Sequence, residues 1–175
     1  MFNTKFNIGF GPPRADTCAK CDEFNVKIRA EEDEISKQEL KKEKQEHLRQ
    51  SDIFYGRKRV ARTTAKKSPK TTAIAFDYWK NLPCPNVSTN DVYYRRQLSI
   101  FTFTIHALES KKVYLYTNDE TTGRKGAHDV FSLLQHFFFT KVPENVKEVF
   151  MFCDGCPGQN KNYTMFRFLH SLVHV

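Results

Sequence analysis

Val149-Phe150-Met151-Phe152-Cys153-Asp154-Gly155-Cys156-Pro157-Gly158-Gln159-Asn160-Lys161-Asn162 is the stretch from which the fold of this chain is read. Four apolar residues in succession predict a strand covered on both faces, as strands of parallel sheets are. Asp154 stands directly at its end, and Gly155, Pro157 and Gly158 then break it. The polar run that follows opens into Met165, Phe168, Leu169 and Leu172 at helical spacing. One of the Asn residues in that run is placed to cap the helix. Open α/β sheets hold ligands at the carboxyl ends of their strands, so Asp154 is a candidate site residue.

A second copy of the arrangement lies upstream. Ala73-Ile74-Ala75-Phe76-Asp77 is another short apolar strand that ends in an acid. If the two strands lie side by side and parallel, Asp77 and Asp154 reach one divalent cation. The segments between them set the topology. Tyr78 to Pro85 predicts a Pro-bearing loop that holds the only Trp. Val92 to Arg96 leads into Leu98 to His106, a strongly β-prone run that alternates at Phe101, Phe103 and Ile105. Glu109 to Lys112 predicts a turn, and Val113 to Tyr116 the return strand of a hairpin. Thr117 to Gly126 is polar and glycine-bearing. Ala127 to Thr140 carries Val130, Phe131, Leu133, Leu134, Phe137 and Phe138 at helical spacing, closed by Pro143.

The predicted order after residue 71 is therefore β, β, β, α, β, α. A right-handed crossover sets the Asp154 strand beside the Asp77 strand. That order is the front half of a ribonuclease H-like mixed α/β sheet, truncated before its last strand and helix. Residues 71–175 form this partial core, residues 56–70 a basic linker, and residues 1–55 an N-terminal segment with a Cys pair and charged helices.

The 175 residues are 39% hydrophobic and 14% aromatic, with 16 Phe, which is enough for a real core. No run of about 18 apolar residues predicts a membrane span. Met1 to Phe10 lacks the order of a signal peptide, so an intracellular protein, nuclear or cytoplasmic and not secreted, is expected. The net charge of +8 fits a polyanionic partner such as DNA. Without a secretory signal, the five Cys are read as metal ligands or free thiols and not as disulfides.

Residues 1 to 17, with Phe6, Gly9, Phe10, Gly11, Pro12 and Pro13, read as an extended lead-in. Cys18-Ala19-Lys20-Cys21 is half of a zinc site, because two thiolates on one turn grip a tetrahedral ion, or else two free thiols. His47 and Cys84 are the candidates for a further ligand. Cys153 and Cys156 could complete a four-thiolate site, but Cys153 reads as a strand residue aimed away from Asp154. From Cys21 to about Tyr55 the chain is dense in Glu and Lys, with a thin apolar series at helical spacing. This predicts one or two solvated helices, in the manner of a helical hairpin. Gly56 to Lys70 carries seven Lys or Arg and no acid, and Arg57, Lys58 and Arg59 are candidate nucleic-acid contacts. Gln159, Asn160 and Lys161 are candidates too, since a helix start suits a phosphate. His106, His128, His136 and His170 are scattered and read as core or surface. No Ser or Cys nucleophile with an ordered base is recognisable.

The segments FDYWKNLPCP and DGCPGQNKN, with the lead-in FGPPRADTCAKC, resemble a family of transposon-derived animal proteins of unknown function. That family is similar in layout to the DDE-type transposases and integrases. The resemblance implies a metal-dependent nuclease or strand-transfer core in which Asp77 and Asp154 bind Mg2+ or Mn2+. It also implies a third acid from a later helix, which this chain lacks. Asp119 or Glu120, just before the first core helix, could supply a carboxylate instead. With two acids only, the chain reads as a fragment or a degenerate copy with little activity unassisted. The other reading is a catalytically dead zinc- and nucleic-acid-binding protein.

Overall fold

The structure is a computed structural model that describes residues 18–87, 89, 91 and 94–174. The lead-in expected over residues 1 to 17 lies outside these residues, as do Val92 and Tyr93. The chain divides into two compact units, Met1–Gly56 and Arg57–Val175. Among the described residues it is an α/β protein with a mixed sheet of five strands and four helices. None of the helices is long and apolar enough to cross a membrane.

The first unit is the expected hairpin of charged helices. Helix α1 spans Ala19–Ala30, and helix α2 spans Glu34–Lys67 and runs past the end of the unit. Asp33 opens α2 by accepting the Ser36 N–H at 2.8 Å. Phe24 of α1 is buried, and its ring lies 6.3 Å from that of His47 on α2. Lys44 Nζ also donates to Asn25 Oδ1 across the pair, at 2.6 Å. The exposed faces carry ion pairs such as Lys27 with Glu23 and Arg49 with Glu46, which add little stability.

The basic segment expected to be a linker is helical as far as Lys67. Its Arg, Lys and Ala residues are good helix formers, and it has no Pro before Pro69. Ala61 and Ala65, one turn apart, are buried against Ala73 and Leu108, with Ala75, Phe150 and Phe152 alongside. Small side chains there let the helix approach the sheet closely. The core unit thus begins at Arg57 and not near residue 71.

The sheet is built from β1 (Thr71–Tyr78), β2 (Leu82–Cys84), β3 (Leu98–Ala107), β4 (Val113–Asp119) and β5 (Glu148–Phe152). Strand β3 pairs antiparallel with β1, β2 and β4. Phe103 to His106 face both β1 and β4, and Ile100 faces both β2 and β4. Strands β1 and β2 therefore share one edge of β3, and β4 takes the other. On its far side β1 pairs with β5, parallel, in register Thr71–Glu148 through Ala75–Phe152. The crossover from the hairpin to β5 runs through α3 (Ala127–Lys141), and α4 (Tyr163–His174) follows β5. The expected order of elements holds, with β2 added. Strand β2 was hidden in the Pro-bearing loop because it is a three-residue edge strand, exposed along its length, with Pro83 at its centre.

One face of the sheet packs on α3 and α4. Ile74, Phe76, Phe103 and Ile105 meet Val130, Leu134, Phe137, Met165 and Phe168, all buried. On β4 the two-residue period sends Tyr114 and Tyr116 into this core and leaves Val113 and Leu115 exposed. The expected stripes of both helices lie in or against it, and Asn162 caps α4 by accepting the Met165 N–H at 3.0 Å. Leu134 is fully buried, whereas Leu115 is 58% exposed. Leu134→Ala should cost about 2–5 kcal/mol in equilibrium urea unfolding and Leu115→Ala under about 0.5 kcal/mol. Equal costs would contradict this packing.

Candidate functional site

Asp77 and Asp154 owe their positions to the β1–β5 pairing. Continued two residues past its last pair, Ala75–Phe152, the same register would set Asp77 of β1 beside Asp154, which follows the end of β5, and the charge of Asp154 is felt at Asp77. Ala73 and Ala75 of β1, and Phe150 and Phe152 of β5, pack with Ala61 and Ala65 of α2. The two-residue period carries both acids to this same face. Cys153 instead packs against the core under α3 and α4, opposite to Asp154, as the sequence predicts. Its thiol is pushed up by burial and by the charges of Asp154 and Asp77.

The Asp77 carboxyl senses the charge of Asp154. Partial burial raises the Asp77 carboxyl above the ordinary carboxylate range, and the negative charge of Asp154 raises it further. The Tyr78 N–H, donated to Asp77 Oδ1 at 2.7 Å, and the nearby Lys125 ammonium oppose the shift without cancelling it. Asp154 is fixed by the loop that follows it. Its Oδ1 accepts the Cys156 N–H at 3.2 Å and Asn160 Nδ2 at 2.6 Å. Backbone N–H groups of Gln159, Asn160 and Lys161 all point at the Cys156 carbonyl, which closes the loop into a tight turn before α4. Asn160, a candidate DNA contact in the sequence, is thus a support for Asp154. Its Oδ1 is buried without a hydrogen-bond partner.

Lys125 has no counterpart in the sequence reading. Its Nζ lies 4.9 Å from the Tyr78 ring centre and 5.4 Å from that of Phe101. It donates to the Trp79 carbonyl at 3.1 Å and to Asn81 Oδ1 at 2.7 Å. The backbone there is left-handed, at φ 56°, so the turn that carries this Lys is specifically shaped. Asp129 Oδ2 holds that turn from inside α3, accepting the Arg124 and Gly126 N–H groups at 2.8 and 3.2 Å. A Lys amid Thr, Gly and Arg in a polar loop gives no signal of this kind.

The acids offered as a third carboxylate are engaged elsewhere. Glu120 accepts from Arg96 at 3.0 Å, and Asp119 Oδ1 accepts from Thr121 and Thr122, which holds its carboxyl below the usual range. Among the described residues, no third acid or His joins Asp77 and Asp154 in a three-ligand group. Of the candidate nucleic-acid contacts, Lys161, Arg57 and Arg59 are exposed, while Lys58 and Gln159 are half-buried. Arg59 borders a shallow hollow of about 380 Å³ with Val60, Thr63, Thr64 and Lys67.

A different group gathers in the first unit. One donor atom each of Cys18, Cys21 and His47 lies within 4.8 Å of the others, a set that could bind a metal such as zinc. Cys84, the other ligand considered, is exposed in β2 within the second unit. The Cys18 thiol is lowered to about 7 by the Cys21 backbone N–H and by His47, while Cys21 is raised by desolvation and by Cys18. Comparison with known proteins finds no matching family model, curated protein or solved structure.

The raised Asp77 carboxyl has a measurable consequence. An acid whose pKa is higher folded than unfolded loses stability as pH rises from the unfolded value through the folded one. Asp77→Asn keeps the acceptor for the Tyr78 N–H and removes the charge. It should therefore stabilise the second unit slightly at pH 7, by about 0.5 kcal/mol or less. The gain should vanish below about pH 3.5, where both states of the wild type are protonated. Urea midpoints of both proteins across pH 3 to 8 check this, and a wild type more stable than the variant at pH 7 would contradict it.

Proposed function

We propose that residues 57–175 are a ribonuclease H-like core of transposase descent that binds Mg2+ or Mn2+ between Asp77 and Asp154 and acts on DNA phosphodiesters. The observation that carries this reading is the placement of two acids at the carboxyl ends of the adjacent, parallel strands β1 and β5. The donor set fits such a cation. Carboxylate oxygens are hard ligands, and Mg2+ is commonly held by one or two of them while it keeps several waters. The Asp77 carboxyl is raised chiefly by partial burial and to a lesser degree by the charge of Asp154, and a cation placed between the two acids would offset both effects.

A bound divalent ion would polarise the phosphodiester and help to generate the attacking hydroxide or alkoxide. The chain's own residues supply the rest. Asn160 and the Cys156 N–H orient Asp154, and the Tyr78 N–H orients Asp77. Exposed Lys161, with Gln159 beside it, offers a contact for a DNA phosphate at the head of α4. Arg57 and Arg59, exposed on α2, offer further cationic contacts, in keeping with the net charge of +8. Two carboxylates make a weakly charged clamp, so the core on its own is expected to bind one ion and to cleave slowly or not at all.

The second reading, a zinc- and nucleic-acid-binding protein without catalysis, is favoured by the Cys18–Cys21–His47 group. The two make different predictions for Mn2+. In calorimetric titration of the full chain, one Mn2+ should bind, with at least tenfold weaker affinity in Asp77→Asn and in Asp154→Asn. The same variants should keep their far-UV circular dichroism, and their duplex-DNA binding should no longer respond to added Mn2+. Mn2+ affinity indifferent to both substitutions would reject the acid-pair site and leave the second reading.

A further inference from the structure

We infer that Cys18, Cys21 and His47 hold one Zn2+ and that the N-terminal helical hairpin folds only with that ion in place. This does not depend on the acid pair, which lies in the other unit.

The geometry is close to what a tetrahedral ion needs. Cys18 is the residue before the first turn of α1 and Cys21 lies within that turn, so the i, i+3 spacing turns both thiols to one side. His47 comes from α2, the other arm of the hairpin. Its Nε2 lies 3.3 Å from Cys18 Sγ, and all three donors lie within 4.8 Å of one another. Around zinc, with bonds of about 2.3 Å to sulfur and 2.0 Å to nitrogen, tetrahedral geometry sets sulfur and nitrogen about 3.6 Å apart and two sulfurs about 3.8 Å apart. The Cys18–His47 separation is within a few tenths of an ångström of the sulfur–nitrogen value, and shifts of up to about 1 Å bring in the remaining pairs. Two thiolates and an imidazole suit zinc and disfavour Mg2+ or Ca2+. Three protein ligands leave the fourth position to a water or to a donor outside the described residues.

Among the described residues, little else holds the hairpin together. Among the described residues of the first unit, Phe24 is the only buried apolar side chain. Val26 is 67% exposed and Ile35 72%. At 12 residues, α1 is at the length where an isolated helix is marginal. Surface ion pairs such as Lys27–Glu23 do not make up the difference. Units with so small a core are usually stapled by a disulfide or a metal, and here the donors of a metal staple join the start of α1 to the middle of α2. The Phe24 and His47 rings, 6.3 Å apart, continue that join inward.

The test uses the full chain, purified under reducing conditions, with the metal ions alone as probes. Elemental analysis should give one zinc per chain. Co2+ added to the zinc-free chain should give the visible bands of a tetrahedral site with sulfur-to-cobalt charge transfer. Zinc removal by a chelator should raise the rate of tryptic cleavage between Lys20 and Arg49 at least tenfold, and leave cleavage after residue 70 unchanged. His47→Ala should behave as the chelated protein, whereas His47→Cys, which supplies a third thiolate, should keep zinc and protease resistance. Asp77→Asn and Asp154→Asn should leave zinc content unchanged, which separates this site from the proposed Mg2+ or Mn2+ site. A chain that purifies without zinc, a Cys18–Cys21 disulfide in place of the metal, or a tryptic pattern indifferent to chelation would overturn the inference.

Discussion

The backbone ladder between β1 and β5 is the constraint on which the core unit rests. Five residue pairs are in register, from Thr71–Glu148 to Ala75–Phe152. Their register is pinned at the start, where the Lys147 and Glu148 N–H groups donate to the Lys70 carbonyl at 2.7 and 3.1 Å. Thr71 Oγ1 donates to Glu148 Oε2 at 3.2 Å. A slip of one residue would turn Phe150 and Phe152 to the wrong face. A slip of two would keep the faces but part Asp77 and Asp154 by about 7 Å along the strands. The same ladder that fills the core therefore determines whether two carboxylates can serve one cation.

Strand β1 is central because it is covered on both faces, and its composition explains how. Ile74 and Phe76 fill the space under α3 and α4, while Ala73 and Ala75 leave room for α2 to approach with Ala61 and Ala65. Large side chains on one face and small ones on the other make a sheet with one thick and one thin cover. Asp77 stands where that thin cover ends. Burial raises its carboxyl there, so the position costs stability that a neutral residue would not. Residues that work against the fold in this way cluster at functional sites, and this is the physical support for the acid pair beyond its position.

Much of this core was legible in the sequence because its signals were strong and local. Short apolar runs ending in acids, alternation at Phe101, Phe103 and Ile105, and the stripes of α3 and α4 each specify an element without reference to the rest. The features that escaped depend on contacts that sequence order does not show. Residues 56 to 67 read as a linker because their charge masks a two-residue stripe, Ala61 and Ala65, that has meaning only against Ala73. Strand β2 is short, exposed and interrupted by Pro83, so it lacks every compositional mark of a strand. Lys125 was invisible because its role is set by a left-handed turn and by rings on β1 and β3. Asn160 reads in the sequence as a candidate DNA contact, and its hold on the carboxylate six residues earlier shows only in the folded loop. His47 could be named as a partner for Cys18 only as the nearest candidate, and the hairpin supplies the reason.

Trp79 follows Tyr78 at the end of β1, two residues beyond Asp77, and its backbone N–H donates to the Thr102 carbonyl at 2.8 Å. Its indole is 57% exposed, its carbonyl accepts from Lys125, and the sequence contains no second Trp. The sequence thus carries a single indole, close in the chain to Asp77 and anchored to the strand that bears it. Emission excited at the red edge of the indole band, where Tyr does not absorb, is a local optical reporter: a paramagnetic ion or a stacking base arriving beside β1 would quench a single, already assigned chromophore, with no label attached.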